Sequence, residues 1–551
     1  MSKQDDILLD HGVSGNDHVG EVVYDDAGAA PVTLGEVAGG DAAQRPATEE
    51  HATEGSGDGM GCHAGADEMR RAAEKAGKSE ILAQYAKDYP QGPHDQPQSM
   101  CPAFGSLRVG LRMKRTATIL SGSACCVYGL TFTSHFYGAK RSVGYVPFNS
   151  ETLVTGKLFE DIKEAVEKTA DPDKYDAIVV TNLCVPTASG VPLRLLPKEI
   201  NGVRIIGIDV PGFGVPTHAE AKDILAGAML NYARREAEEG PVQRAASDRA
   251  DLPKVTMLGE MFPADPIGIG QMLAPMGLAA GPVAPTREWR ELYAALDGAV
   301  VAAIHPFYTA SIREFEAAGR PVVGSAPVGR DGTAAWLEAI GEACGVARAQ
   351  IDAAKNASLG AIAGALGACP VKGRITLSGY EGSELLVARL LIESGADVRY
   401  VGTACPRTKW SDGDREWLEA HGAQVQYRAS LEQDVAAMEE FQPDLAIGTT
   451  PVVQKAKEKA TPALYFTNLI SARPLMGPAG AGSLAQVVNA AIKSKSRFDE
   501  MRAFFEGVGE GDKAGVWEDT PDIHGDFRRK QRRKLEIKAK REASLEEPVG
   551  C

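Results

Sequence analysis

Short apolar runs alternate with helical stretches along most of this 551-residue chain, and that alternation limits its fold more than any other feature. Residues 117–120, 142–146, 177–180 and 203–209 read as buried strands, and 158–168 reads as a helix between two of them. A strand, a crossover helix and a second strand make a βαβ unit, so the pattern predicts parallel sheets covered by helices. The pattern then repeats. Strands at 254–259, 299–304 and 321–323 surround a helix at 311–318, and a long Ala-rich helical region at 333–366 closes that stretch. A third stretch runs from a strand at 372–377 through a helix at 382–394, a strand at 397–401 and a helix at 414–421 to strands at 445–448 and 463–467. The chain is too long for one core. The expectation is an α/β protein of three Rossmann-like domains, at 98–250, 251–370 and 371–495, after a helical lead-in at 61–97.

The ends read differently. Residues 1–60 carry thirteen acids against Lys3 and Arg45 and show no apolar period, which predicts disorder. They hold −11 of the chain's formal charge of −15, so the rest is close to balance. No basic stripe crosses the folded part, and nucleic acid is not an expected partner. The tail at 496–551 starts helical and becomes strongly basic, with nine Lys and Arg between Arg528 and Arg541. A solvated or partner-docking arm is the simple reading. No apolar run is long enough for a membrane span, and the N-terminus lacks a signal core, so a cytoplasmic protein is expected.

Nine cysteines at wide, irregular spacing do not form a disulfide framework. There is no Cys-x2-Cys pair, so the zinc templates fail as well. Three cysteines stand out by position. Cys126 and Cys184 follow the runs ending at 120 and 180, and Cys101 lies between Met100 and Pro102. Open α/β sheets hold ligands beyond the carboxyl ends of their strands. Three thiolates there make an incomplete socket for an iron–sulfur cluster, whose remaining ligand must come from elsewhere. Taken singly, each such cysteine is more often a small buried hydrophobe than a ligand. Cys125 and Cys126 are adjacent and neighbouring side chains point in different directions, so at most one is expected to reach a shared cluster, and Cys344, Cys369, Cys405 and Cys551 show no partner pattern.

The glycine loops are weaker signals. Ala76-Gly-Lys-Ser79 lacks the first glycine of a phosphate loop. Gly212-Phe-Gly-Val-Pro-Thr217 breaks the dinucleotide pattern, but it follows a strand and precedes a helix, so its amides can face a charged group. Gly379-Tyr-Glu-Gly382 reads as a simple helix start. Among the histidines, His218 and then His305 are the candidate proton donors, each by position near a strand end.

Longer runs carry a resemblance. Cys101-Pro-Ala-Phe-Gly-Ser106, the run from Leu120 through Cys126 to His135, Gly144-Tyr-Val-Pro-Phe-Asn149, Thr181-Asn-Leu-Cys-Val-Pro186 and Asp209-Val-Pro-Gly-Phe-Gly214 are similar to the Y-subunit family of the nitrogenase-like chlorophyllide a reductases. The likeness spans roughly residues 60–500. It implies a nitrogenase component-1-like fold and a heterotetramer of two Y and two Z subunits. It also implies a 4Fe–4S cluster held by Cys101, Cys126 and Cys184, with the remaining ligand from the Z subunit. A separate X protein would spend ATP and deliver electrons, which agrees with the lack of a phosphate loop here. The implied reaction reduces the C7=C8 bond of chlorophyllide a in bacteriochlorophyll synthesis. Phe132, Phe136, Tyr137, Phe148 and Phe213 lie on the loops of the cysteines and are candidate walls for a flat pigment. The alternative is a non-catalytic scaffold of the same fold that builds or carries a metallocofactor.

Overall fold

The computed structural model describes residues 99–124, 126–130, 143–245, 251–259, 265–471 and 473–505. The expectations for the acidic lead, the 61–97 segment, Cys125, Phe132, His135, Phe136, Tyr137 and the basic tail lie outside the described residues.

Three sheets follow one another along the chain. The first has the order β2-β1-β3-β5-β4, from β1 (Thr116–Gly122), β2 (Val143–Pro147), β3 (Ala177–Asn182), β4 (Glu199–Ile200) and β5 (Val203–Asp209). All its pairs are parallel except the short antiparallel edge β4. The second sheet, order β7-β6-β8-β9, joins β6 (Lys254–Leu258), β7 (Ala279–Ala284), β8 (Val300–Ala303) and β9 (Val322–Gly324) in parallel. The third, order β12-β11-β10-β13-β14, is parallel throughout and comprises β10 (Arg374–Gly379), β11 (Asp397–Thr403), β12 (Gln424–Tyr427), β13 (Leu445–Gly448) and β14 (Ala463–Tyr465). The molecule is an α/β protein built from several parallel sheets.

Both faces of the first sheet are covered, which is why its strands read as unbroken apolar runs. On one face Ile119, Ile178 and Val180 pack with Leu158, Ile162 and Val166 of α2 (Lys157–Thr169). Those three lie four residues apart and form one helical stripe, each contributing roughly 1.5–3 kcal/mol of burial. On the other face Leu120, Val179 and Ile206 meet Leu107 and Leu111 of α1 (Pro102–Arg112) and Leu225, Met229 and Leu230 of α4 (His218–Glu239). That apolar cluster continues into Trp289, Leu292, Val301 and Phe315 beside the second sheet.

Three local readings change. The single helix expected at 333–366 is two, Gly329–Ala343 and Arg348–Ala368. Gly345 takes φ +67°, and its N–H and that of Val346 return to Glu342 and Gly341 carbonyls, so a left-handed glycine ends the first helix. The strand expected to reach residue 467 stops at Tyr465, where the helix Phe466–Ser471 begins. Strand β7, Ala-Ala-Gly-Pro-Val-Ala, escapes a reading by residue type because its residues are small and Pro282 is tolerated only at an edge.

Candidate functional site

Register brings the three cysteine loops to one edge. Ser121 of β1 lies opposite Asn182 of β3, and Asn182 lies opposite Asp209 of β5. The loops leaving β1, β3 and β5 therefore stand side by side at the carboxyl ends. Cys126 comes four residues after the end of β1. Cys184 comes two residues after the end of β3 and opens α3 (Cys184–Ala188). Cys101 precedes α1, which runs back toward the start of β1, so its N-terminus belongs to the same edge.

Each turn is held from behind. Leu183 N–H donates to the Ser121 carbonyl at 2.9 Å and Val210 N–H to the Asn182 carbonyl at 3.1 Å. The Asn182 amide donates to Asp209 Oδ1 at 3.0 Å and to the Val191 carbonyl at 3.1 Å, and the Thr187 hydroxyl reaches the same Asp209 oxygen at 3.2 Å. Gly122 has no substitute here, because a Cβ would sit 2.6 Å from the Leu183 side chain.

The sulfurs face amides. Gly212 N–H donates to Cys184 Sγ at 3.1 Å, so the loop whose amides were expected to meet a charged group meets a thiol. At Cys101, desolvation raises the thiol pKa, the Ala103 N–H works against it, and the nearby Cys184 raises it further. Cys101 and Cys126 are exposed and Cys184 half-exposed, whereas Cys405 is buried and burial pushes its thiol pKa well up. Among the described residues, no three His, Cys, Asp or Glu side chains converge as they would around one metal ion. A four-iron cluster takes its thiolates at separate corners and accepts hydrogen bonds at sulfur, and this donor set suits it.

Exposed apolar side chains cluster near the thiols in sequence. Of seven large hydrophobic side chains exposed among the described residues, four are Met100, Tyr128, Val185 and Phe213, each within two residues of a cysteine or beside Gly212. Apolar groups gathered in this way mark a surface that another molecule covers. Phe213, expected as a pocket wall, is 68% exposed. Phe148 is half-buried and packs against the cluster of Ile119, Val146 and Leu158.

The two histidines lie deeper. His305 follows β8, is 2% exposed, and donates its N–H to the Leu258 carbonyl. His218 is fully buried, with Nε2 3.1 Å from Glu381 Oε2. Lys222 Nζ lies 3.4 Å and Arg108 Nη1 3.7 Å from the same oxygen. Burial opposes ionisation of Glu381, but His218, Lys222 and Arg108 hold its pKa well below the usual carboxylate range. Burial and the Lys222 charge lower the His218 pKa, and Glu381 works against them. Sequence reasoning missed this network because its members are far apart in the chain. One signal was available: Glu220, Lys222 and Asp223 interrupt the Ala- and Leu-rich start of α4.

Residues 101–493 match the family of nitrogenase component 1 type oxidoreductases. The chain is 72% identical over 490 residues to the chlorophyllide reductase 52.5 kDa chain of Cereibacter sphaeroides, covering 89% of this chain and 97% of that one. It is 70% identical over 489 residues to the protein of the same name from Rhodobacter capsulatus, covering 89% and 98%. Two nitrogenase Cp1 structures, at pH 6.5 and pH 5, share the fold with a TM-score of 0.57 each, at 19% and 13% identity. The first spans 74% of this chain and 94% of its own, the second 75% and 92%. No helix among the described residues is long and apolar enough to cross a membrane. The chain belongs to the nitrogenase component 1 type oxidoreductases, alongside the chlorophyllide reductase 52.5 kDa chains, and is a subunit of an oxidoreductase.

Proposed function

We propose that this chain is the Y-type subunit of a chlorophyllide a reductase and that Cys101, Cys126 and Cys184 hold three corners of a 4Fe–4S cluster. The fourth ligand would come from a Z subunit in a Y2Z2 assembly. One observation carries this reading: the loops bearing the three thiols share one sheet edge, with Cys184 Sγ accepting the Gly212 N–H and exposed apolar side chains close by in sequence. The 72% identity to a chlorophyllide reductase chain supplies the substrate class.

When bound, the cluster supplies single electrons, which an ATP-spending X protein would replenish. Reduction of the C7=C8 bond of ring B takes two electrons and two protons. The residues of this chain do the remaining work. The exposed Met100, Tyr128, Val185 and Phe213 would close against the partner and keep water from the sulfurs. The Gly212 and Ala103 amides favour sulfur carrying negative charge. His218, first considered as a proton donor, is fully buried with Nε2 3.1 Å from Glu381 Oε2, an environment that suits positioning better than acid catalysis.

The test is anaerobic purification of the complex with electron paramagnetic resonance of the reduced protein. Cys126→Ser should abolish or strongly diminish the cluster signal, whereas Cys369→Ser, at the end of a helix in the second unit, should keep it. A full signal in Cys101→Ser, Cys126→Ser and Cys184→Ser alike would refute the ligand assignment.

A further inference from the structure

The first turn of α4 is gripped from the third sheet at two points. Glu381, on the loop after β10, holds His218 and Lys222. Arg428, just after β12, makes a two-pronged pair with Glu220, with Nη1 to Oε2 at 2.5 Å and Nη2 to Oε1 at 2.6 Å. Arg428 also donates to the Ala404 carbonyl at 3.0 Å and adopts φ +53°, a conformation disfavoured for any residue with a Cβ. Such a backbone persists where its surroundings demand it. Both grips are buried: Glu381 is 5% and Arg428 3% exposed.

From that same turn, two tethers run to the thiols. The His218 N–H donates to Ser99 Oγ at 3.0 Å, two residues before Cys101. A Cβ on Gly105, in the first turns of α1, would lie 1.9 Å from the His218 carbonyl oxygen, so α1 and α4 touch backbone to backbone there. Toward the N-terminus, α4 leads into the 211–216 turn, closed by Gly214 and Val215 N–H donating to the Pro211 carbonyl, and that turn presents Gly212 N–H to Cys184. Cys126 is carried by β1 through the Ser123–Val127 turn.

We propose that Glu381 and Arg428 are positioning residues for Cys101 and Cys184. Through the first turn of α4 they set where two of the three thiols stand relative to the third, so a displacement of the third sheet is felt at two corners of the site and not at the one hung from β1. Buried, directional polar contacts are suited to this because they define one arrangement. The functional consequence rests on the reading of the three cysteines as one cluster site.

The experiment is iodoacetamide alkylation of the full-length, cluster-free chain, with rates for each cysteine read by peptide mass spectrometry. Glu381→Gln should speed alkylation of Cys101 and Cys184 about threefold or more relative to Cys126. Glu220→Gln, at the less buried grip, should act in the same direction more weakly, and it carries the test if Glu381→Gln does not fold. In the reconstituted complex, Glu381→Gln should keep the cluster but shift its resonance spectrum and midpoint potential. Unchanged alkylation ratios in folded variants, or an equal rise at all three cysteines, overturn the proposal. A selective rise in a protein whose wild type takes up no cluster would leave the positioning role standing and sink the cluster assignment instead.

Discussion

The two seams that meet the third sheet differ in their proportions of apolar and charged contact. Toward the second sheet the contact is mainly apolar: Met272, Leu273, Trp336 and Ile340 share one cluster with Leu386, Leu390, Ile375 and Leu445, with polar contacts such as Ser325 to Asp414 and Thr408 to the Pro306 carbonyl beside it. Toward the first sheet it is charged, with His218, Lys222, Glu220 and Arg108 facing Glu381 and Arg428. Apolar burial is non-directional and scales with area, so it holds two bodies together in any well-packed arrangement. Buried ion pairs add little net stability but penalise misalignment, because an unpaired charge in a dry interior is costly. The apolar seam lies behind the second unit, and the charged seam lies behind the cysteine edge, where relative position matters.

This contrast can be broken by mutation. The largest effect is expected from Glu381→Ala, which removes the buried carboxylate shared by His218, Lys222 and Arg108 and should cost about 3–5 kcal/mol in urea unfolding. Leu390→Ala, fully buried in the apolar seam, should cost a comparable or smaller ~2–5 kcal/mol through its cavity. The two should differ in kind, since only the first should disturb alkylation at Cys101 and Cys184. Equal disturbance from both would erase the distinction between the seams.

A smaller effect concerns pH. Glu384 is buried beside Glu381, accepts the Glu381 and Gly382 N–H groups and the Thr403 hydroxyl, and has its pKa raised to about 7, chiefly by burial. A carboxyl group with a raised folded-state pKa binds its proton more tightly in the native state. Its contribution is fully present below the unfolded pKa and is lost as pH rises through about 7. Stability should therefore decline from pH 4.5 to 7 on account of this group, and Glu384→Gln should flatten that slope in unfolding measured across the range. An unchanged slope would show that Glu384 is ionised throughout. The smallest effect belongs to the exposed Glu164–Lys168 pair on α2, one helical turn apart. Glu164→Gln should leave the unfolding midpoint unchanged within error, as solvent-screened pairs do.

Much of the first sheet was legible because its strands are buried on both faces and rich in β-branched residues, as in Thr-Ala-Thr-Ile-Leu of β1 and Ala-Ile-Val-Val of β3. Strand β7 was not, since alanine, glycine and proline at an edge carry no period. The break at Gly345 was hidden in an Ala-rich stretch where helix propensity is high on both sides and only the left-handed glycine decides. Among site residues, Cys126 and Cys184 stood out by following strands. Glu381 resembled an ordinary helix start, and Arg428 gave no signal.

Local order along the chain determined the α/β class, the parallel pairing and the arrival of Cys126 and Cys184 just past strand ends, because strand burial and helix periodicity are written in neighbouring residues. Which charges would be buried, and against what, was decided only in three dimensions. Glu381 finds His218 across 163 positions of sequence, and Arg428 finds Glu220 across 208. A buried charge is tolerated only where the fold supplies its partner.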